Sequence, residues 1–216
     1  MLNGIKKAAA FFCHQDDEMV AAGTLHRLAS AGCEVHVVSF SPCATINDRM
    51  GTEVSSRLVL PEWHLSMDLI GVGQEQRHFL NYTPSVSIAD RRQDVANYVF
   101  DFCERERPDV AFVLSPEDEN TAHAVVGVEC ERVMRGRVPM VVRCNFAWNY
   151  SIGRPNLFVA LSDKDLDIKR RVINAYQSQK FRYDYGAMLM AYCIGDGKSV
   201  KVAAAERFEI IRSVVT

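Results

Sequence analysis

The 216-residue sequence predicts an α/β fold, a Rossmann-like three-layer α/β/α sandwich around a mostly parallel sheet. Two observations carry the prediction. Short apolar runs of strand length alternate with stretches whose apolar residues recur at helical spacing. The connections between successive runs are long enough for helical crossovers, as parallel strands require. No repeat, low-complexity segment or linker rich in Pro, Gly or Ser interrupts the pattern, so residues 1–216 read as one domain.

In chain order, KKAAAFFCH supplies a first strand, and DDEMVAAGTLHRLASAG follows at helical period, closed by Gly32 where a left-handed residue is wanted. EVHVVSF is then a β-branched strand ending at the Ser41-Pro42 break. A right-handed crossover between these strands sets both carboxyl ends on one edge of the sheet, where ligands of open α/β sheets bind. Residues 49–60 read as a second helix stopped by Pro61, and residues 63–82 as strand plus loop. From Ser87 to Arg107 the positions Ile88, Val95, Val99 and Phe102 suit an amphipathic helix, ended by Pro108 before the strand DVAFVLS. The next segment, PEDENTAHAVVGVECERVMRG, opens polar and turns helical, and PMVVRCN is another strand. NLFVALS leads into Ser162, which with Asp165 makes a capping-box start to a helix reaching about Gln179. AERFEIIRS fits strand or helix.

Twenty-five basic against 27 acidic residues, net −2, provide no basic footprint for nucleic acid, which points to a small-molecule ligand. No apolar run approaches the ~20 residues that span a bilayer, and the first residues lack a signal-peptide cleavage site, so no membrane insertion and a cytoplasmic location are expected. Seven cysteines without a CxxC pair read as reduced, structural thiols. A homo-oligomer is compatible with the sequence.

Chemistry concentrates in Cys13-His14-Gln15-Asp16-Asp17-Glu18, where the first strand hands over to the first helix. Acids at a helix start complement the macrodipole, which accounts for Asp16 to Glu18 but leaves His14 unexplained. The second reading is a metal site, with His14 and a carboxylate three residues on as two ligands. A catalytic zinc needs a third protein ligand, and His123, in the loop after DVAFVLS, is the best placed at the same sheet edge. His26 and His36 lie within a helix and a strand and read as packed or surface imidazoles, while His64 and His78 fall in unassigned loop. A magnesium phosphohydrolase built on Asp16 and Asp17 suits the pattern less well, because adjacent acids point apart and His14 would be idle.

HQDDE in a strand-to-helix turn resembles the PHPDDE signature of the LmbE-like (PIG-L) superfamily of zinc-dependent de-N-acetylases, with Cys13 and Gln15 in place of two prolines. The histidine after a PDV-type strand, KRRVINAYQSQ and AERF extend the likeness over most of the chain. The resemblance implies Zn2+ held by His14, Asp17 and His123, Asp16 as the base that activates water, and an amino sugar or sugar conjugate as substrate. The family's second motif usually runs His-Pro-Asp-His, whereas this chain has Asn120-Thr121-Ala122-His123. Asn120 can donate a hydrogen bond to an oxyanion but delivers no proton at neutral pH. Arg49 approximates a substrate-contacting arginine of the family, one residue out of spacing, and competes with a plain surface role. Trp148 and Tyr150, with Arg154, can make an aromatic platform for a sugar, though Trp148 equally suits core packing. The competing function is a zinc-binding but catalytically altered or inactive ligand-binding module.

Overall fold

The computed structural model describes residues 4–43, 45–47, 52–54, 56–82, 85–149, 153–180 and 185–214. Strand β1 (Lys7–Phe12) is buried along almost its whole length, as a strand with neighbours on both edges and helices on both faces must be. A short 3-10 turn (Asp17–Val20) precedes α1 (Ala22–Ser30), and Gly32, at φ +85°, reverses the chain into β2 (Glu34–Ser39). A small hairpin, β3 (Thr45–Asn47) and β4 (Thr52–Val54), stands apart from the main sheet. Then come α2 (Ser56–Ile70), β5 (Arg77–Phe79), α3 (Arg92–Glu106), β6 (Val110–Leu114), α4 (Thr121–Met134) and β7 (Met140–Cys144). The chain continues through β8 (Leu157–Ala160), α5 (Asp163–Ala175) and α6 (Tyr185–Ser199) to β9 (Ala205–Ser213).

The seven strands run in the order β5-β2-β1-β6-β7-β9-β8. Every pairing from β5 to β7 is parallel, and β9 runs antiparallel to both of its neighbours. Winding proceeds outward from β1 through β2 to β5, then restarts at β6 on the other side of β1. That reversal is a topological switch point, and it leaves a crevice outside the carboxyl ends of β1 and β6. Helices pack in two groups, α3 against α4, and α1 against α2 and α5.

The structure redraws one stretch of the expected pattern. The helix placed at residues 49–60 begins within the described residues at Ser56 and runs through Pro61 to Ile70, so the first part of the expected strand-plus-loop, residues 63–70, is helical. Proline removes one backbone donor and crowds the preceding turn, at a cost of about 3 kcal/mol. Burial of the stripe Val59, Trp63, Met67 and Ile70 outweighs that cost. Residues 77–79 do form a strand, β5, and AERFEIIRS resolves as strand rather than helix. The capping box at Ser162 forms as expected, and its Asp165 also holds His26 at 2.8 Å, which fastens α1 to α5.

A buried ion pair ties the end of the chain to its beginning. Lys169 Nζ lies 2.6 Å from Glu206 Oε1 and donates to the carbonyls of Met19 (2.6 Å) and Val20 (3.1 Å). Glu206 in turn accepts from the amides of Gly23 and Thr24 at 3.0 and 2.7 Å. Removing one partner strands a buried charge, so Lys169→Met should lose about 3–5 kcal/mol of unfolding free energy. Denaturant titration measures this, and a loss below about 1 kcal/mol would show that the pair bears little on stability.

Candidate metal centre

Phe12 ends β1, and the chain turns at Cys13 and His14 into the 3-10 turn that starts at Asp17. Asp17 folds back so that its Oδ2 accepts the His14 amide at 2.8 Å, which locks the two side chains into one bend. Strand β6 runs beside β1, with Phe11 opposite Val113, so the loop leaving β6 rises over the same place. This loop enters α4 at Asn120, whose Oδ1 caps the helix by accepting from the Ala122 amide at 3.0 Å, and His123 sits in the first turn. Gly127, one turn further on, permits the approach. A Cβ there would lie 2.6 Å from the Leu114 carbonyl oxygen and within 3 Å of Ser115 and Pro116 backbone atoms.

The result is a convergence of three donors. His14 Nδ1 lies 3.0 Å from His123 Nε2 and 3.7 Å from Asp17 Oδ2, and His123 Nε2 lies 3.3 Å from Asp17 Oδ1. Two imidazole nitrogens and a carboxylate facing one point form a set that suits a catalytic zinc ion and leaves a coordination position for water or substrate. Burial opposes charge throughout this cluster, yet the facing imidazoles of His123 and His14 hold the Asp17 carboxyl well below the usual carboxylate range. Asp17 and Asp118 in return hold His123 well above the ordinary imidazole value against the cost of burial, and His14 is raised as well.

Asp118 is the member that sequence reasoning missed. Its Oδ2 lies 3.1 Å from His123 Nδ1, and its Oδ1 accepts from the Trp148 indole nitrogen at 3.1 Å and the Asn120 amide at 2.8 Å. The only signal was an acid five residues ahead of a candidate ligand, and in an irregular loop that spacing carries no fixed geometry. Trp148 stacks on Phe146, with centroids 4.5 Å apart at 9°, and the Phe146 ring lies 5.0 Å from that of His123. Trp148 therefore lies at the site, with its polar edge committed to Asp118. Asp16 is partly exposed beside the cluster, and the Cys43 thiol lies 3.4 Å from its Oδ2. Glu18 faces inward between Ser66 and Tyr176, where burial pushes its carboxyl up to about 8 against those hydrogen bonds, which favours its neutral form. Arg49 and Tyr150 lie outside the described residues.

The other histidines stay away from the three donors. His26 bonds Asp165, and His36 bonds Glu34 at 2.7 Å and stacks on His78. His64 belongs to α2 and His78 to β5, not to loops. A second grouping of potential ligands, Glu34, His36 and Glu106, lies at the opposite edge of the sheet. There Lys7 Nζ bridges the two carboxylates at 3.1 and 2.8 Å, so an ammonium already supplies the cation.

Raised imidazoles have two linked consequences. A histidine whose folded pKa exceeds its unfolded value stabilises the fold fully below the unfolded value, about 6.5, and this contribution fades as pH rises through the folded one. The metal-free protein should therefore lose stability from near neutrality into the alkaline range. Binding zinc at pH 7 should expel protons from His14 and His123. Calorimetric titration in two buffers of different ionisation enthalpy reads the release directly, and a buffer-independent heat would refute it.

A search among curated proteins finds no match. The fold is shared with several solved structures. N,N'-diacetylchitobiose deacetylase from Pyrococcus horikoshii superposes with a TM-score of 0.75 at 19% identity, over 97% of this chain and 85% of that one. The hydratase GalB of Pseudomonas putida, which acts on 4-carboxy-2-hydroxymuconate, superposes at 0.79 with 16% identity, over 98% of each chain. The zinc-inhibited form of the teicoplanin deacetylase Orf2 superposes at 0.75 with 12% identity, over 97% of this chain and all of that one. Identities this low establish a common fold. The family itself is established by sequence, because the model of the PIG-L family, GlcNAc-PI de-N-acetylase, matches residues 9–134, a span that holds all three converging donors, Asp16 and Asp118. The chain belongs to the PIG-L family of de-N-acetylases.

Proposed function

We propose that this protein is a zinc-dependent hydrolase that removes an N-acetyl group, or another N-acyl group, from an amino sugar or sugar conjugate. The observation that carries the reading is the convergence of His14, Asp17 and His123 beside the partly exposed Asp16, at the switch point of the sheet. Family membership supports the amide-hydrolase chemistry, and the deacetylases of shared fold act on diacetylchitobiose and teicoplanin. The seven cysteines are all buried and reduced, which suits a reducing compartment such as the cytoplasm. Among the described residues no helix is long and apolar enough to cross a membrane.

A zinc ion held by His14, Asp17 and His123 would supply Lewis acidity, polarising the scissile carbonyl and lowering the pKa of a water molecule to about 7. Asp16 takes the proton from the attacking water and then passes it to the departing nitrogen. Asn120 commits its side-chain oxygen to capping α4, which leaves its amide N–H groups for the oxyanion. Trp148, Tyr150 and Arg49 are the proposed substrate contacts, with Trp148 bordering the centre on the side of Asp118.

One observation favours a second reading. Position 120 holds no ionisable group, and a hydratase shares the fold over 98% of each chain. Activation of water by the same residues suits addition to a carbon–carbon double bond, which needs no protonated amine leaving group. Acetate release from a panel of N-acetyl sugars, run beside an ultraviolet assay for loss of a conjugated enoate, separates the two.

Asp16→Asn should keep the zinc while lowering turnover by about 100–10,000-fold, because the amide preserves shape without basicity. His123→Ala should lose the metal altogether. Near-wild-type rates in the first variant, or full zinc content in the second, would remove those residues from their roles.

A further inference from the structure

Strand β2 ends at Ser39, but the chain beyond it stays bonded to the end of β1. The amide of Phe40 donates to the Phe12 carbonyl at 3.2 Å and that of Ser41 to the Cys13 carbonyl at 2.8 Å. The Ser41 hydroxyl donates to the Tyr82 carbonyl at 2.8 Å. Residues 40–43 are thereby led along the turn that carries His14 and Asp17, and Pro42 fixes a backbone torsion on the way. Cys43 arrives buried against that turn, and two contacts hold it there. Its amide donates to Gln15 Oε1 at 3.3 Å, and its thiol lies 3.4 Å from Asp16 Oδ2. Gln15 is fully buried, so the first contact is shielded from water. Proline, which holds that position in the PHPDDE signature, has no side-chain oxygen to accept the amide.

A base that takes a proton from water must be a carboxylate, which only accepts hydrogen bonds, and a thiol has one proton to give. Cys43 is therefore the donor in its contact with Asp16, and an ionised acceptor strengthens a bond that is otherwise weak. Asp16 is partly exposed, and an aspartate at a surface turn has two side-chain torsions to fix. A general base works only within about 2.6–3.2 Å of the proton it takes, so a carboxylate that wanders costs rate. We propose that Cys43 is a positioning residue for Asp16: its thiol donates to Oδ2 and holds the carboxylate in one orientation beside the three converging donors. Gln15 sets the place of Cys43 in turn, so two neighbouring residues of the HQDDE block grip the same cysteine, one by its amide and one by its thiol. The proposal rests on the hydrolase reading for the use made of Asp16, whereas the contact and the orientation belong to the chain whatever its substrate is.

The test uses the full chain as wild type, Cys43→Ala, Cys43→Ser, Asp16→Ala and the double variant Asp16→Ala/Cys43→Ala. The S–H stretching band falls in an infrared window clear of other protein groups, so the difference between wild type and Cys43→Ala isolates this thiol from the rest. That band should lie at lower frequency than the same band taken between Asp16→Ala and the double variant, which lacks the acceptor. Three-bond couplings to the Asp16 carboxyl carbon read its first side-chain torsion. Wild type should show one rotamer, Cys43→Ala an average of several, and Cys43→Ser, which restores a donor, a return toward one. An unshifted band, or a single Asp16 rotamer in Cys43→Ala, overturns the assignment whether or not the protein hydrolyses any amide. With N,N'-diacetylchitobiose as the probe and zinc content matched, kcat should fall about 3–10-fold in Cys43→Ala at unchanged KM and recover at least partly in Cys43→Ser. An unchanged kcat in Cys43→Ala overturns its part in turnover. Wild type that shows the shifted band and the single rotamer yet releases no acetate from a panel of N-acetyl sugars would overturn the hydrolase reading and leave the orientation of Asp16 by Cys43 standing.

Discussion

Lys169 and Glu206 meet beneath the segment that carries the functional residues, and the rest of the site depends on that contact. Between the 3-10 turn at Asp17–Val20 and α1 the backbone leaves helical geometry at Ala21, with φ −119° and ψ 9°. The junction leaves the carbonyls of Met19 and Val20 and the amides of Gly23 and Thr24 to find partners outside the helix, in a region closed to water. Lys169 satisfies the carbonyls and Glu206 the amides, and each neutralises the other. Every group involved is costly to leave alone and adequately served only when all are present. The turn at His14 is therefore held in shape by residues some 150 positions and more away in sequence.

Tyr176 adds a second tie from the same quarter. Its hydroxyl hydrogen-bonds the Gln15 carbonyl and the Glu18 carboxyl group, and Ser66 of α2 reaches the same carboxyl oxygen at 2.5 Å. Burial disfavours the charge of Glu18, so it can knit three elements together without placing a third carboxylate charge beside Asp16 and Asp17. The HQDDE block thus divides its labour. His14 and Asp17 face His123 of α4, Asp16 keeps access to solvent, and Glu18 serves as an internal peg.

On the other wall of the crevice the fit is steric before it is electrostatic. Gly127 lets α4 lie against the backbone that leaves β6, which brings His123 down onto His14. Asp118 and Trp148 then hold the ring from behind. With both walls in place, the two imidazoles and the carboxylate face one another at hydrogen-bond distance, and their raised and lowered affinities for protons follow from that mutual attraction set against burial. A divalent cation would replace those protons with a single central charge.

Much of this was legible in the residues themselves. Strand-length apolar runs, the stop at Pro108, the turn at Gly32 and the capping box at Ser162 are local, each set by backbone geometry or a side chain within a few positions, and each appears where expected. His14, Asp17 and His123 were legible because right-handed crossovers force the carboxyl ends of β1 and β6 to one edge. The continuation of α2 through Pro61 was not, because a buried stripe paid out only against other helices outweighs a local penalty that the sequence states plainly. Asp118, Cys43 and Glu18 were not assigned their partners for a related reason: a carboxylate, a thiol and an acid acquire their roles from a ring, a carboxylate or a hydroxyl that arrives from another element. The sequence by itself determined the order of elements and which residues reach the crevice, since both follow from local periodicity and chain topology. Only the tertiary structure decided which nitrogen of each histidine faces inward and which acid stands behind it, because those orientations are chosen by contacts between segments far apart in the chain.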